Sequence, residues 1–228
     1  NKTNRERWKL WQKWWAEEML ATSSPLTERL VLFWHNHFTS SFDRVKWVPY
    51  LYAQNALFRR HAAGSFRDLL NAIVLDPAML FYLDGRRNRA QKPNENFARE
   101  LLELFTMGEG HGYTERDIRE VARALSGWSV STTTAKAVFR TRSHDWGEKE
   151  FLGQRGAFGV REVVNVILDH NRPARYLAEK FYDAFIGGMR HTPTVNAAAK
   201  AFQQSDYSIS ALLRTLLNSP TFWDLKTR

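Results

Sequence analysis

The 228-residue chain has no cysteine. Disulfides, thiolate metal ligands and cysteine nucleophiles are thereby excluded, while the compartment stays open because an exported protein can also lack cysteine. Long apolar runs are missing as well. No stretch approaches the roughly 18–20 uninterrupted apolar residues of a membrane-spanning helix, and Asn1 to Leu10 is charged rather than the apolar core of a signal peptide. A soluble chain without a membrane span or signal peptide is expected over these residues. Also absent are the G-x-S-x-G elbow, the P-loop, the H-E-x-x-H metal helix and the dinucleotide glycine fingerprint. The familiar hydrolase, NTPase, zinc-protease and Rossmann readings therefore have no support.

Aromatic residues, in contrast, are abundant. Nine Trp and fifteen Phe within a 43% hydrophobic composition supply more apolar area than a disordered chain carries, and the length suffices for a sizeable core. The formal charge of +9 admits a polyanion partner such as nucleic acid. Its tightest basic group, Arg86, Arg87, Arg89 and Lys92, falls in a loop with Asn88 and Gln91. Such a run is either a phosphate contact or, more commonly, a solvated turn.

Apolar spacing of three and four predicts helices along most of the chain. Trp8, Trp11, Trp15 and Met19 mark a helix over 5–21, widened by Leu10, Trp14 and Leu20 into a face that needs cover. Ser24-Pro25 reads as an N-cap and first helical position for a helix over 25–39, and Pro49 sits in the first turn of another over 48–61. Ser65 to Asp68 resembles a capping box, Asp76-Pro77 restarts the chain to about Leu83, and Pro93 opens a helix to about Met107. Thr114 to Asp117 caps the next, which ends near Gly127. Beyond that, Trp-Ser-Val-Ser and Ala-Val-Phe-Arg, separated by Thr132, Thr133 and Thr134, could pair as a hairpin, and 143–159 reads as an irregular loop. Helices resume over 160–170, 173–186, 197–202 and 209–217, with a last turn at Ser219-Pro220. The expected fold is mainly α, one multi-helix domain with a small β insertion around 128–159.

Three patches carry polar chemistry inside apolar segments: Phe33-Trp34-His35-Asn36-His37-Phe38; Asn94-Glu95-Asn96-Phe97-Ala98-Arg99-Glu100-Leu101-Leu102-Glu103; and His144-Asp145 with Lys149. At 100° per residue His35 and His37 lie about 200° apart and cannot chelate one ion from a regular helix. His37 shares the stripe of Leu30 and Phe33, whereas His35 shares a face with Glu28 and Val31. On the second patch Glu95, Asn96, Arg99, Glu100 and Glu103 fill one polar arc. That arc is either a solvated face with ion pairs four residues apart or a wall facing the histidines, supplying carboxylates for metal binding or acid/base work. His144-Asp145 suits a general base, a metal ligand or, more often, a turn.

These segments, with Asp76-Pro77-Ala78-Met79-Leu80 and Ala122-Arg123-Ala124-Leu125-Ser126-Gly127-Trp128, resemble the bacterial family catalogued as domain of unknown function 1800. The resemblance runs from Trp14-Trp15 to Phe222-Trp223, nearly the whole chain. Members are usually longer at both ends, so it implies a central portion whose site a flanking segment could complete. It carries no established activity, cofactor or metal. What it implies is that His35, Asn36, His37, Asn94, Glu95, Asn96, Arg99, Glu100, Glu103, Arg123, His144 and Asp145 belong to the family pattern. Three functions stay open: a structural or interaction domain with a protein partner, which leads; an enzyme or metal-binding protein using the His/Glu/Asn groups; and a polyanion binder. The first two patches are expected to meet in space, because buried histidines need partners and the second helix offers carboxylates.

Overall fold

A computed structural model describes residues 2–131 and 133–224, and the expected helices occupy most of it. The first half contains α1 (Lys2–Ala21), α2 (Pro25–His37), α3 (Phe42–Val45), α4 (Val48–His61), α5 (Phe66–Val74) and α6 (Pro77–Tyr82). Side-chain caps set several of these starts. Ser65 Oγ accepts from the Asp68 amide at 3.2 Å, and Asp76 Oδ1 accepts from the Met79 amide at 2.9 Å. Ser24 occupies the N-cap of α2 but its side chain makes no capping bond, so Pro25 and the fixed φ of its ring begin that helix without one. α2 stops at His37 rather than residue 39. The four-residue α3 has no counterpart among the expected elements; its end at Lys46 is left-handed, φ 59°.

α7 (Glu95–Glu100) begins two residues after Pro93, with Asn94 as its N-cap, and then widens into a π-helix, Leu101–Thr106. α8 (Glu115–Ala124) carries the full capping box of Thr114 and Asp117. The expected hairpin forms as β1 (Trp128–Val130) against β2 (Ala137–Phe139), Trp128 opposite Phe139. Thr132, in its turn, lies outside the described residues. The segment expected to be irregular holds a second hairpin, β3 (Lys149–Phe151) and β4 (Gln154–Gly156). Leu152 and Gly153 form its turn with φ of 48° and 75°, the two-residue geometry whose twist matches paired strands. α9 (Val160–Asp169), α10 (Asn171–Phe185), α11 (Thr192–Gln204), α12 (Ile209–Leu217) and α13 (Pro220–Trp223) follow among the described residues.

One buried cluster runs from Leu30, Trp34 and Phe38 on α2 through Phe58, Phe66 and Leu101 to Phe181 and Phe202. Its rings meet stacked or edge to face: Trp34 lies 5.8 Å from Phe38 and 5.5 Å from Phe181 between centroids. Among the described residues α1 is covered on one side. Trp11 is buried and Trp8 stacks on Phe42 at 5.0 Å, while Leu10 and Leu20 stay 68% and 89% exposed. The apolar face expected there is narrower than the sequence suggests. Among the described residues no helix is long and apolar enough to cross a membrane.

Candidate functional site

The two histidines of α2 leave the helix on different sides. His35 points toward α1 and α4, beside Trp15 and Phe58. Its Nε2 lies 3.1 Å from Asn55 Nδ2, and Asn55 Oδ1 accepts from Arg59 at 2.5 Å. The amide must therefore donate to Nε2, which puts the ring proton on Nδ1. Arg59 in turn grips the buried Glu28 with two bonds of 2.8 Å, and Trp15 donates to the same carboxylate at 3.3 Å. Burial, reinforced by the Arg59 charge, lowers the His35 pKa to about 3. This chain of polar groups clamps α1 and α4 onto α2.

His37 is buried and its Nε2 donates to the Phe105 carbonyl at 3.0 Å. That carbonyl belongs to the end of the π-helix, where a helix leaves its last carbonyls unpaired. Tyr176 serves Leu104 at 3.0 Å and Arg172 serves Met107 at 2.8 Å in the same way. Burial and the nearby Lys180 charge lower the His37 pKa to about 3, so the ring is neutral with an acceptor at Nδ1. Nδ1 is buried and, among the described residues, has no hydrogen-bond partner.

α2 and the α7–π-helix segment do meet, in part. Asn36 and His37 line one side of a cleft of about 520 Å³, and Asn96, Glu100, Leu104 and Phe105 line the other. No histidine–carboxylate bond joins them, contrary to the sequence expectation, because His37 is taken by Phe105 and His35 by Asn55. Lys180 of α10 and Arg44 of α3 also reach the cleft. Arg44 is held by Asp84 and the Tyr82 carbonyl, each at 3.3 Å. Burial lowers the Lys180 pKa; Asp183, the carboxylate that opposes this shift, is itself paired with Arg190 at 2.5 Å. Burial and Glu103 raise the pKa of Glu100. Lys180 carries no local sign in the sequence; it sits on the edge of an apolar stripe, next to the buried Phe181.

The other candidates gather elsewhere. Arg99 pairs with Glu95 at 3.6 Å, Glu103 at 3.2 Å and Glu115 of α8 at 2.7 Å, so these groups of the arc form a half-exposed ion-pair cluster. Asn94 caps α7 and receives its position from Asn88, whose Oδ1 accepts from the Asn94 amide at 2.9 Å. Arg123 holds Asp145 through bonds of 2.7 and 3.2 Å and Glu120 through one of 2.7 Å. His144 Nδ1 donates to the Ser126 carbonyl at 2.9 Å, and the buried Lys149 donates to the Asp145 carbonyl. In the basic loop Arg86 stacks on Phe81 at 4.5 Å and Arg87 pairs with Asp84 at 3.5 Å, while Arg89 and Lys92 close a tight turn. Among the described residues no group of three or more His, Asp or Glu is arranged to hold a metal ion.

The polar residues that stand out in the sequence thus divide into an α1 clamp, a cleft, a surface ion-pair cluster and a pinned loop around Asp145. No curated protein and no solved structure matches the chain. A family model does, over residues 1–228, and the chain accordingly belongs to the family described as a protein of unknown function, DUF1800.

Proposed function

We propose that the chain is a binding domain whose cleft between α2, the α7–π-helix segment and α10 takes a small polar ligand with one anionic group. The observation that carries this reading is the convergence of Lys180, Asn36, His37, Asn96 and Glu100 from three separate parts of the chain on one cleft. Its size suits a small molecule, and a few fixed polar groups against Leu104 and Phe105 are what orient one. Lys180 supplies an ammonium for a carboxylate or comparable anion. Asn36, Asn96 and Glu100 offer donors and acceptors for the rest of the ligand, and the π-helix favours a functional wall, since such stretches concentrate at binding sites.

The test is a thermal-shift screen of the chain against small carboxylates, amino acids and phosphomonoesters, followed by calorimetry on any hit. A ligand at about 100 times its Kd adds about 2.7 kcal/mol to stability, which in a chain of this size raises Tm by about 5–10 °C. Lys180→Met should abolish that shift. A panel without a single hit, or a shift that survives Lys180→Met, sinks the reading.

A further inference from the structure

We infer that a second groove, over the indole of Trp128 and separate from the α2–α10 cleft, binds a linear, uncharged oligosaccharide. Trp128 lines two adjoining hollows of about 630 and 350 Å³, and Val160 and Glu162 are common to both, so the two form one elongated groove. Its floor is aromatic. Phe139 lies 5.1 Å from Trp128 at 48° between planes, and Trp146 lies 6.1 Å from Phe139 at 84°. Trp146 is 66% exposed and Phe139 38% exposed. Large rings held so open leave apolar area in water that a ligand can cover.

These rings are held rather than loose. The Trp146 indole donates to the Thr141 carbonyl at 3.1 Å and packs against the edge of His144 at 4.6 Å. The loop beneath is pinned by Ser126 Oγ, which accepts from the Asp145 amide at 2.9 Å, and by Asp145 Oδ1, which accepts from the Gly147 amide at 2.9 Å. Arg123 fixes the Asp145 carboxylate in turn. Arg123, His144 and Asp145 are accordingly positioning residues for the Trp146 platform, and a preorganised platform loses little entropy on binding.

Charge separates the ligand classes. Asp68 and Glu162 balance Arg161 and Lys149 along the walls, so the groove has no net charge although the chain carries +9. A single-stranded nucleic acid would demand a basic track beside the rings. A sugar ring instead offers an apolar C–H face for an aromatic plane and a rim of hydroxyls, each both donor and acceptor. Asn71 lines the groove with its Nδ2 held on the Arg67 carbonyl, and a hydroxyl beside it can accept from Arg161 or donate to Asp68. Because the ring planes turn from Trp128 to Trp146, several linked units fit better than one.

The experiment is affinity electrophoresis of the whole chain in gels containing a soluble β-1,4-xylan, a β-1,3-glucan, a mixed-linkage β-glucan or a galactomannan, with dextran sulfate and oligo(dT) as charged controls. At least one neutral polymer should retard the protein, equally at low and high salt. The double variant Phe139→Ala, Trp146→Ala should weaken retention at least about tenfold while the chain stays folded, since Trp146 is 66% exposed and Phe139 lies outside the main buried cluster, and Lys180→Met should leave retention intact. The inference is overturned if no neutral polymer retards the chain or if the double variant is retained like the parent. It also fails if retention is confined to the charged polymers and collapses with salt.

Discussion

Titrating stability between pH 7.5 and 5.5 tests the burial of three groups together. His35 and His37 have pKa values lowered to about 3 against 6.5 in the unfolded chain, so as pH falls the unfolded state takes up protons that the folded state refuses. Stability from each is fully present above pH 6.5 and drains as pH falls toward 3. At pH 5.5 the loss is about 1.4 kcal/mol for each ring. Asp76 acts in the opposite sense. Buried at the N-cap of α6, it has its pKa raised to about 7 from 3.8, so its favourable contribution is complete below 3.8 and is lost as pH rises through 7. Between pH 7.5 and 5.5 it returns about 2 kcal/mol. The parent should therefore lose only about 1 kcal/mol over this window, while Asp76→Asn, which keeps an N-cap acceptor but cannot titrate, should lose about 3 kcal/mol. Urea unfolding followed by tryptophan fluorescence at five pH values measures both slopes. Equal slopes in the two proteins would refute the raised Asp76, and a flat curve for Asp76→Asn would refute the neutral, buried histidines.

His37→Ala should cost about 1–3 kcal/mol by leaving the Phe105 carbonyl without its donor, with amide exchange quickening over 101–107; an unchanged exchange pattern would separate His37 from the π-helix end. Glu28→Gln should cost about 2–4 kcal/mol, somewhat below a fully buried pair because Arg59 keeps 28% of its side chain exposed. Its signature is a red-shifted tryptophan emission as α1 loosens, and a destabilised variant with unshifted emission would contradict the clamp.

Much of the fold was legible because local chemistry and tertiary packing agree. Asp76-Pro77 and the Thr114–Asp117 box start helices where their side chains can cap, and the Thr-rich break after Trp128 lies between strands that pair. The second hairpin was hidden by Leu152, a residue that disfavours the left-handed turn position it occupies. Of the candidate site, the opposed directions of His35 and His37 follow from helix geometry alone, as does the Glu95–Arg99–Glu103 spacing. Which groups share the cleft does not follow. Lys180 lies 80 residues beyond Glu100 and shares the cleft with it because α10 packs against the π-helix.

The π-helix itself had a signal in the sequence. Its buried positions repeat strictly every four residues: Phe97, Leu101 and Phe105 in one row, Ala98, Leu102 and Thr106 in the other. In a regular α-helix a four-residue repeat drifts by about 40° per step, so two steps would carry Phe105 and Thr106 well around the cylinder from Phe97 and Ala98. A wider turn closed by i to i+5 bonds keeps both rows on one face, and Met107 N to the Leu102 carbonyl at 2.8 Å is such a bond. Thr106 Oγ1 donates to the Leu101 carbonyl at 2.6 Å, so the hydroxyl spans the same five residues. The poorer bonding of this geometry is offset by packing of Phe105 and by the donors His37, Tyr176 and Arg172 at the carbonyls the helix end leaves free. The same winding leaves Glu100 and Leu104 facing the cleft between those donors' helices. The pattern that folds this segment is therefore also the one that builds a wall of the cleft, and under the proposed binding role substitutions at Phe105 or His37 should move ligand affinity and stability together whereas Lys180→Met moves affinity alone.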